Sequence, residues 1–211
     1  LMPLAIMGIL VGSAVAMFER NIKRMLAFSS VAQIGYIMLG ASLVTATGLT
    51  AATLHMFNHA LAKGGMFLAI AAVTMVAAGC RLNDVAGMAR RMPWTFAALV
   101  VAGLSLIGVP GTAGFISKWY LINAALELET GGVALVALIL ISSLMAVVYI
   151  WRIIEAAYFG EPSEQTTASA PPALVVILWA VAIANIGFGI APDLPLSLSQ
   201  TAADILLGHV Q

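Results

Sequence analysis

The sequence predicts an all-α protein: a polytopic transmembrane helical bundle of about six spans, one of them discontinuous. Three observations predict this fold class. The 211 residues are 62% hydrophobic and only 9% charged, whereas soluble domains carry about 25% charged residues. Long apolar stretches recur at lengths near the roughly 20 residues with which a helix crosses a bilayer. One of these stretches contains a cluster of glycine and proline, which favours unwinding of the helix near its middle.

Composition also narrows the classes of function. The formal net charge is zero with neutral histidines, which argues against nucleic acid as a partner. The single cysteine, Cys80, excludes an internal disulfide and a cysteine-based metal cluster. The sequence contains no glycine-rich dinucleotide motif. We therefore expect no cofactor and no metal in this chain, and a lipid bilayer as its surroundings.

Six apolar segments are long enough to be transmembrane helices. They cover residues 4–18, 25–44, 50–79, 94–126, 132–157 and 172–191. Residues 160–171 form a polar linker that is predicted to be cytoplasmic, and the tail beyond Pro192 is predicted to be interfacial. The first segment is short, and the chain opens on apolar residues without the basic region of a signal peptide. We therefore expect further sequence upstream of Leu1.

Basic residues are sorted to one side of the predicted membrane. Seven of the nine Lys and Arg residues fall in loops that a six-span alternation places on the same face: Arg20, Lys23, Arg24, Arg81, Arg90, Arg91 and Arg152. Because cytoplasmic loops are enriched in Lys and Arg, this face is predicted to be cytoplasmic. The chain is then a multi-pass protein of the inner cell membrane, and its C-terminus lies on the outer, periplasmic side.

The third predicted span carries His55, His59 and Lys63, which are spaced four residues apart. Side chains at this spacing share one face of a helix and form a column about 12 Å long, at about 1.5 Å of rise per residue. A charge at the centre of a spanning helix costs about 2.5–3.5 kcal/mol, so such residues are candidates for function. We interpret the column as part of a proton path. The alternatives are a hydrogen-bonded structural group and a zinc site, for which this helix lacks a third ligand.

The fourth predicted span, residues 94–126, is interrupted near its middle. The residues predicted to unwind it are Gly108, Pro110, Gly111 and Gly114, and a simple proline kink is the alternative. Unwound backbone at membrane depth is tolerated only inside protein or beside a water-filled cavity. Lys118 follows one turn later, too far from the predicted helix ends to reach the membrane surface easily, and is predicted to be functional.

The second predicted span carries a polar stripe. Ser29, Gln33 and Tyr36 lie four and three residues apart, so they share one face of an otherwise apolar helix. Such a stripe either joins helices through hydrogen bonds or holds water molecules.

Three blocks of the sequence, taken together, resemble one family. Residues Asn21–Tyr36 resemble the pattern I-K-R-x-L-A-Y-S-S-x-x-Q-x-G-Y, His55–Lys63 resemble H-x-x-x-H-A-x-x-K, and Gly108–Lys118 resemble G-x-P-x-x-x-G-F-x-S-K. Their order and spacing are similar to those of antiporter-like membrane subunits. Such subunits occur in Mrp-type cation/proton antiporters, in respiratory complex I and in membrane-bound hydrogenases. Residues 104–110 and 117–121 look most like the MrpD protein of the Mrp-type antiporters.

The resemblance implies a fold of two inverted five-helix repeats, each with one broken helix. Residues 1–159 would be the second repeat, and residues 172–211 would be the closing helix and its tail. The first repeat of the family is missing from this sequence, so the chain would be either a partial chain or half of a split subunit.

The resemblance also implies roles for individual residues. Lys63 would be the central proton carrier, His55 and His59 would be relay residues, and Lys118 would be the carrier on the exit side. Lys23 matches a lysine of the family at the start of its helix and is a weaker candidate.

Three hypotheses about function remain open from the sequence. The leading one is a proton-translocating subunit of a multi-subunit antiporter that exchanges H⁺ with Na⁺, with other membrane subunits as partners. The second is a proton-pumping membrane-arm subunit of a complex I-like NADH:quinone oxidoreductase or a membrane-bound hydrogenase. The third is a structural membrane subunit that transports nothing. Burial disfavours a charged lysine and histidine titrates near neutral pH, so the column is chemically suited to the first two.

Overall fold

The computed structural model describes residues 1–77, 79–161 and 170–208, and within them the chain is helical, without an extended strand. Two short 3-10 helices, Leu82–Val85 and Met88–Arg90, connect α3 to α4. The α-helices in these ranges are α1 (Met2–Phe18), α2 (Ile22–Ser42), α3 (Ala46–Thr74), α4 (Pro93–Ile107), α5 (Ala113–Leu126), α6 (Gly132–Phe159), α7 (Pro172–Ile190) and α8 (Asp193–Leu206).

The helices reproduce the predicted membrane bundle. In the described ranges, α2, α3, α6 and α7 are each long and apolar enough to cross a membrane, while α1 and α4 are apolar but shorter. The helices α4 and α5 follow one another across a break at residues 108–112 and together take the place of the predicted fourth span. The predicted all-α polytopic bundle with one discontinuous helix is therefore confirmed.

Capping side chains move the ends of two helices from their predicted positions. The helix α2 starts three residues earlier than predicted, because Asn21 Oδ1 accepts a hydrogen bond from the backbone N–H of Arg24 at 3.2 Å. The helix α3 starts four residues earlier, because Thr45 Oγ1 accepts from the N–H of Gly48 at 3.0 Å. It ends at Thr74, five residues before the predicted end.

The end of the chain also differs in part from the prediction. The tail beyond Pro192 is helical over Asp193–Leu206, and this helix, α8, packs against α3. Polar and apolar residues alternate around it, and it buries Pro195, Ser199 and Ala203. Of the predicted linker at residues 160–171, residues 162–169 lie outside the described part of the chain.

Glycines bring α1 and α2 into close contact. A Cβ atom added to Gly12 would lie 2.6 Å from the backbone nitrogen of Ala32, and one added to Gly35 would lie 2.8 Å from that of Ile9. Small residues let helix backbones approach, and this packing drives helix association in lipid, where the hydrophobic effect between helices is lost. The helix α3 lies at the centre of the bundle and contacts α2, α4, α5, α7 and α8, so its polar side chains can be enclosed by protein.

Glu19 organises the loop between α1 and α2. Its Oε1 accepts hydrogen bonds from the backbone N–H groups of Asn21 (3.1 Å) and Arg20 (2.9 Å), and its Oε2 lies 3.3 Å from Arg24 Nε. Arg152 of α6 donates to the carbonyl oxygen of Glu19 at 2.9 Å and so ties α6 to this loop. The backbone donors of Asn21 and then Arg20 hold the pKa of the Glu19 carboxyl below its ordinary value, and the two arginines act in the same direction.

We expect Gly12→Ala to lower the stability of the bundle, because the added Cβ overlaps the backbone of α2. Overpacking of this kind costs about 1–3 kcal/mol. Gly187→Ala in α7 is the matched control, since a Cβ there meets no atom within 4 Å. Thermal unfolding in detergent micelles measures both variants. If both had the wild-type midpoint, the close contact between α1 and α2 would be wrong.

We also expect the contribution of Glu19 to depend on pH. Its folded-state pKa lies below the unfolded value, so the carboxylate stabilises the fold above the unfolded pKa, and this contribution disappears as pH falls through the folded pKa. Glu19→Gln should therefore lower the thermal midpoint near neutral pH but leave it unchanged at acid pH. Unfolding curves recorded on both sides of the carboxyl titration test this, and a difference that does not vary with pH would refute it.

Candidate functional site

Lys63 is enclosed near the middle of α3, with only 5% of its surface exposed. Its Nζ donates a hydrogen bond to the carbonyl oxygen of Leu26 at 2.7 Å and another to Ser29 Oγ, both on α2. Ser29 in turn donates to the Leu26 carbonyl at 2.9 Å. The described residues place no carboxylate within 4.0 Å of this amine. A buried lysine is thus held by neutral oxygen atoms alone.

His55 lies two turns earlier on α3 and bridges to two other helices. Its Nε2 is 2.9 Å from Gln33 Oε1 on α2, and its Nδ1 is 2.9 Å from Ser117 Oγ on α5. Because the Gln33 oxygen only accepts, Nε2 carries a proton, and in the neutral ring Nδ1 accepts from the Ser117 hydroxyl. The ring is 3% exposed, so these two contacts determine its hydrogen bonding.

Ser117 has a second acceptor, the carbonyl oxygen of Gly114 at 3.2 Å. Its single hydroxyl proton can point to His55 Nδ1 or to this carbonyl, but not to both. When Nδ1 is protonated, the hydroxyl accepts from it and donates to Gly114. The site therefore accommodates His55 in both charge states without moving a helix.

His59 stands between His55 and Lys63 on α3. The His55 and His59 rings are nearly parallel, with centroids 6.4 Å apart and an interplanar angle of 13°. The Nδ1 atom of His59 is buried and has no hydrogen-bond partner in the described part of the chain. Buried polar atoms are satisfied by protein or by water, so this position calls for a water molecule beside the column.

Lys118 lies on α5, on the other side of the helix break, and is 5% exposed. Its Nζ donates to the carbonyl oxygens of Leu106 (3.1 Å) and Ile107 (2.8 Å) and to Ser143 Oγ of α6 (3.0 Å). The two carbonyls are at the C-terminus of α4, where they lack partners within the helix and carry the negative end of the helix dipole. The amine of α5 therefore caps the end of α4.

The break itself is narrower than predicted. Gly108 and Gly111 have φ values of +92° and +85°, which glycine adopts without steric cost, and Pro110 lies exposed between them. Gly114, however, belongs to α5, so its assignment to the unwound segment is wrong. Its missing Cβ instead lets the carbonyl of Ser105 approach α5, and its N–H donates to Ser105 Oγ at 3.0 Å.

The predicted stripe on α2 faces these ionisable groups along its whole length. Ser29 contacts Lys63, Gln33 contacts His55, and the ring of Tyr36 lies 5.0 Å from Lys118 Nζ. All three stripe residues are buried. We call the sequence Lys63, His59, His55, Ser117 and Lys118 the polar row; it links α3 to the broken helix, and the stripe lines it from α2.

Sequence reasoning missed several residues of this region. Ser117 and Ser143 complete the row and the Lys118 site, and Asn58 donates to the carbonyl of Ala113 at 2.6 Å, which ties α3 to the start of α5. The adjacent serines at 142 and 143 in an apolar span were the available signal for α6. Lys23, the weaker candidate, is exposed at the start of α2 and lies outside the polar row.

The arrangement is suited to proton transfer rather than to metal binding. Within the described ranges, His, Cys, Asp and Glu do not come together in groups of three or more that could hold a metal ion. The row instead alternates amines, imidazoles and a hydroxyl. Each of these groups can accept and donate a proton, and water is needed where neighbours are more than about 3.5 Å apart.

The fold and the site define a polytopic membrane protein in which enclosed ionisable groups adjoin a broken helix, an arrangement typical of ion-translocating proteins. The chain belongs to the NADH:quinone oxidoreductase/Mrp antiporter transmembrane family, whose model matches residues 1–146. The resemblance to antiporter-like membrane subunits is thus confirmed.

Among curated relatives, the chain is 45% identical over 169 residues to NADH-quinone oxidoreductase subunit N of Desulforudis audaxviator, which covers 80% of this chain and 33% of the relative. It is 33% identical over 204 residues to the subunit of the same name from Desulforamulus reducens, covering 97% of this chain and 42% of the relative. The chain thus spans between a third and just over two fifths of the length of these two relatives.

Solved structures agree on the fold and include both branches of the family. A chain of the Mrp complex from Dietzia matches with a TM-score of 0.87 and 27% identity, covering 98% of this chain and 46% of that one. A chain of respiratory complex I from Thermus thermophilus matches with a TM-score of 0.77 and 28% identity, covering 93% and 44%. The fold alone therefore does not separate the two branches.

The contact between the break and Lys118 leads to a paired prediction. Alanine at Gly108 or at Gly111 adopts a positive φ and should cost about 1–2 kcal/mol in either case. A Cβ at Gly108 would also lie 2.8 Å from Lys118 Cδ, whereas one at Gly111 meets nothing within 4 Å. We expect only Gly108→Ala to displace the Lys118 side chain and to speed its reaction with a membrane-permeant amine reagent, followed by mass spectrometry. Equal labelling in the two variants would contradict this packing.

Proposed function

We propose that this chain is the proton-translocating part of a membrane-arm subunit in a complex I-type NADH:quinone oxidoreductase. The observation that carries the proposal is the polar row, which runs from Lys63 through the two histidines and Ser117 to Lys118 inside the bundle. The similarity to two subunits N at 45% and 33% identity supports the complex I branch.

In this proposal a proton reaches Lys63 from the side of the basic loops. Ser29 and the Leu26 carbonyl hold the charged amine until the proton passes to His59, with water completing the gap at the unpartnered Nδ1. His59 passes it to His55, and the Ser117 hydroxyl then reorients to carry it toward the break.

Lys118 receives the proton on the far side of the break and releases it beyond α5. A positive charge at Lys118 interacts favourably with the carbonyls that end α4. A second positive charge arriving on His55 is repelled by it. Occupancy at one end of the row therefore opposes occupancy at the other, and a change of charge or conformation elsewhere in the complex can drive release.

The relatives favour the second of the two transport hypotheses over the first. The motifs near residues 104–110 and 117–121 look most like the MrpD protein, but these motifs are shared across the family. Exchange of Na⁺ is accordingly not part of the proposal, although the structural match to the Mrp complex keeps it as the alternative for experiment. Other membrane subunits and redox subunits of the complex are the proposed partners, and the orientation with a periplasmic C-terminus stays a prediction from the basic loops.

We expect Lys63→Ala and Lys118→Ala each to reduce proton flux by about tenfold or more, since a positioned proton-transfer group is worth about 10²–10⁴-fold in rate. Lys23→Ala is the matched control and should retain flux, because Lys23 is exposed. Flux is measured by quenching of a pH-sensitive dye in inverted vesicles that contain the whole complex, and co-purification of the other subunits checks assembly.

The driving reaction distinguishes the hypotheses. Dye quenching after NADH addition, without a response to a Na⁺ pulse, is the result that the proposal predicts. A response to the Na⁺ pulse alone would establish the antiporter instead. Wild-type flux in both lysine variants would leave the chain as a structural subunit.

A further inference from the structure

Tyr36 is placed between two members of the polar row. Its ring centroid is 5.0 Å from Lys118 Nζ and 5.5 Å from the centroid of the His55 ring, which it meets at 81°. Its hydroxyl donates to the carbonyl oxygen of Ile139 on α6 at 3.3 Å, and the side chain is 1% exposed. The row has no other aromatic side chain in contact with an amine among the described residues.

A purely structural explanation accounts for only part of this geometry. The hydroxyl bond to Ile139 anchors the ring to α6, which is what a packing tyrosine needs when it is buried. That bond does not require the ring to face an ammonium group. An amine within about 6 Å of an aromatic centroid is attracted by the negative charge on the ring face, and the attraction grows when both groups are shielded from water.

We propose that Tyr36 is a positioning residue for proton transfer, whose ring holds the charged form of Lys118 against the end of α4 while contacting His55. This inference rests on the proposed function and adds to it a means by which α2 adjusts the exit-side carrier. The hydrogen bonds from Lys118 to Leu106 and Ile107 satisfy part of the ammonium group, and the ring stabilises its remaining charge.

The other groups that face this pair are known in the described structure. From α3 it is His55, from α6 it is the hydroxyls of Ser143 and Tyr149, and from α4 it is the backbone carbonyls at its C-terminus. The sequences of α1 and α4 contain no charged residue. Among these groups His55 is the other one that changes charge near neutral pH, and it touches the same ring.

Substitutions at residue 36 separate the ring from the hydroxyl. Tyr36→Phe keeps the ring and loses the bond to Ile139, Tyr36→Leu loses both, and trifluorophenylalanine at position 36 keeps the shape of Phe while weakening the negative ring face. Tyr158→Leu is the matched control, since Tyr158 packs on Phe96 near the far end of α6. NADH-driven proton flux is measured against pH in vesicles that contain the whole complex.

The expected result is that Tyr36→Phe keeps the wild-type pH profile, while Tyr36→Leu and the fluorinated variant move its alkaline limb to lower pH by about half a unit to one unit. Tyr158→Leu should leave the profile unchanged. The inference is overturned if the fluorinated and Phe variants have the same profile, and this comparison stands even where Tyr36→Leu fails to fold.

The two proposals fail in different ways. Wild-type flux in Lys118→Ala would remove the proposed function and, with it, the role of Tyr36. An inactive Lys118→Ala together with an unshifted fluorinated variant would overturn only the inference about Tyr36.

Discussion

Two lysine amines, Lys63 and Lys118, are taken out of water and lipid and are held by neutral oxygen atoms. A buried ion pair would fix each amine in its charged state, because removing one partner of such a pair is strongly unfavourable. The described residues place no carboxylate within 4.0 Å of either amine. Carbonyls and hydroxyls accept from an ammonium group but also tolerate a neutral amine, so each lysine can change its protonation in place.

The rest of the fold follows from supplying those oxygens inside a bilayer. Helical carbonyls are normally occupied by the helix itself, and a break is what frees them: α4 stops at Ile107, and Lys118 from α5 occupies the exposed end. Lys63 instead shares a carbonyl within α2, where Ser29 adds a hydroxyl. Two lysines of one chain are thus accommodated by two different solutions, one at a helix end and one on a helix face.

Between the amines, hydroxyl and imidazole groups keep the row open to both directions of transfer. Ser117 can reverse its hydrogen bond between His55 and the Gly114 carbonyl, and the unpartnered Nδ1 of His59 marks where water belongs. The stripe on α2 meets the row at three successive turns, so a small shift of this helix would alter all three contacts together. This gives α2 a direct physical connection to the charge state of the row.

Much of this could be predicted from the sequence. The four-residue spacing of His55, His59 and Lys63 located the column, and Gly108 with Pro110 located the break, because spacing and backbone chemistry are local properties. The partners could not be predicted: whether Gln33 meets His55 or lipid depends on the rotation and depth of α2 against α3. The range of the break was overestimated at Gly114, because its lack of a side chain serves a close approach to Ser105 rather than unwinding. The branch was misjudged because short motifs are common to the family, whereas identity over most of the chain separates its members.

The most direct test of the account is nitrogen-15 NMR of the lysine side-chain nitrogens in the assembled complex in bilayers, with signals assigned through Lys→Arg variants at positions 23, 63 and 118. The account predicts that the signals of Lys63 and Lys118 change between ammonium and amine when proton pumping is driven, while exposed Lys23 stays ammonium. If Lys63 and Lys118 remained ammonium throughout, the two amines would not be proton carriers and the central claim would be wrong.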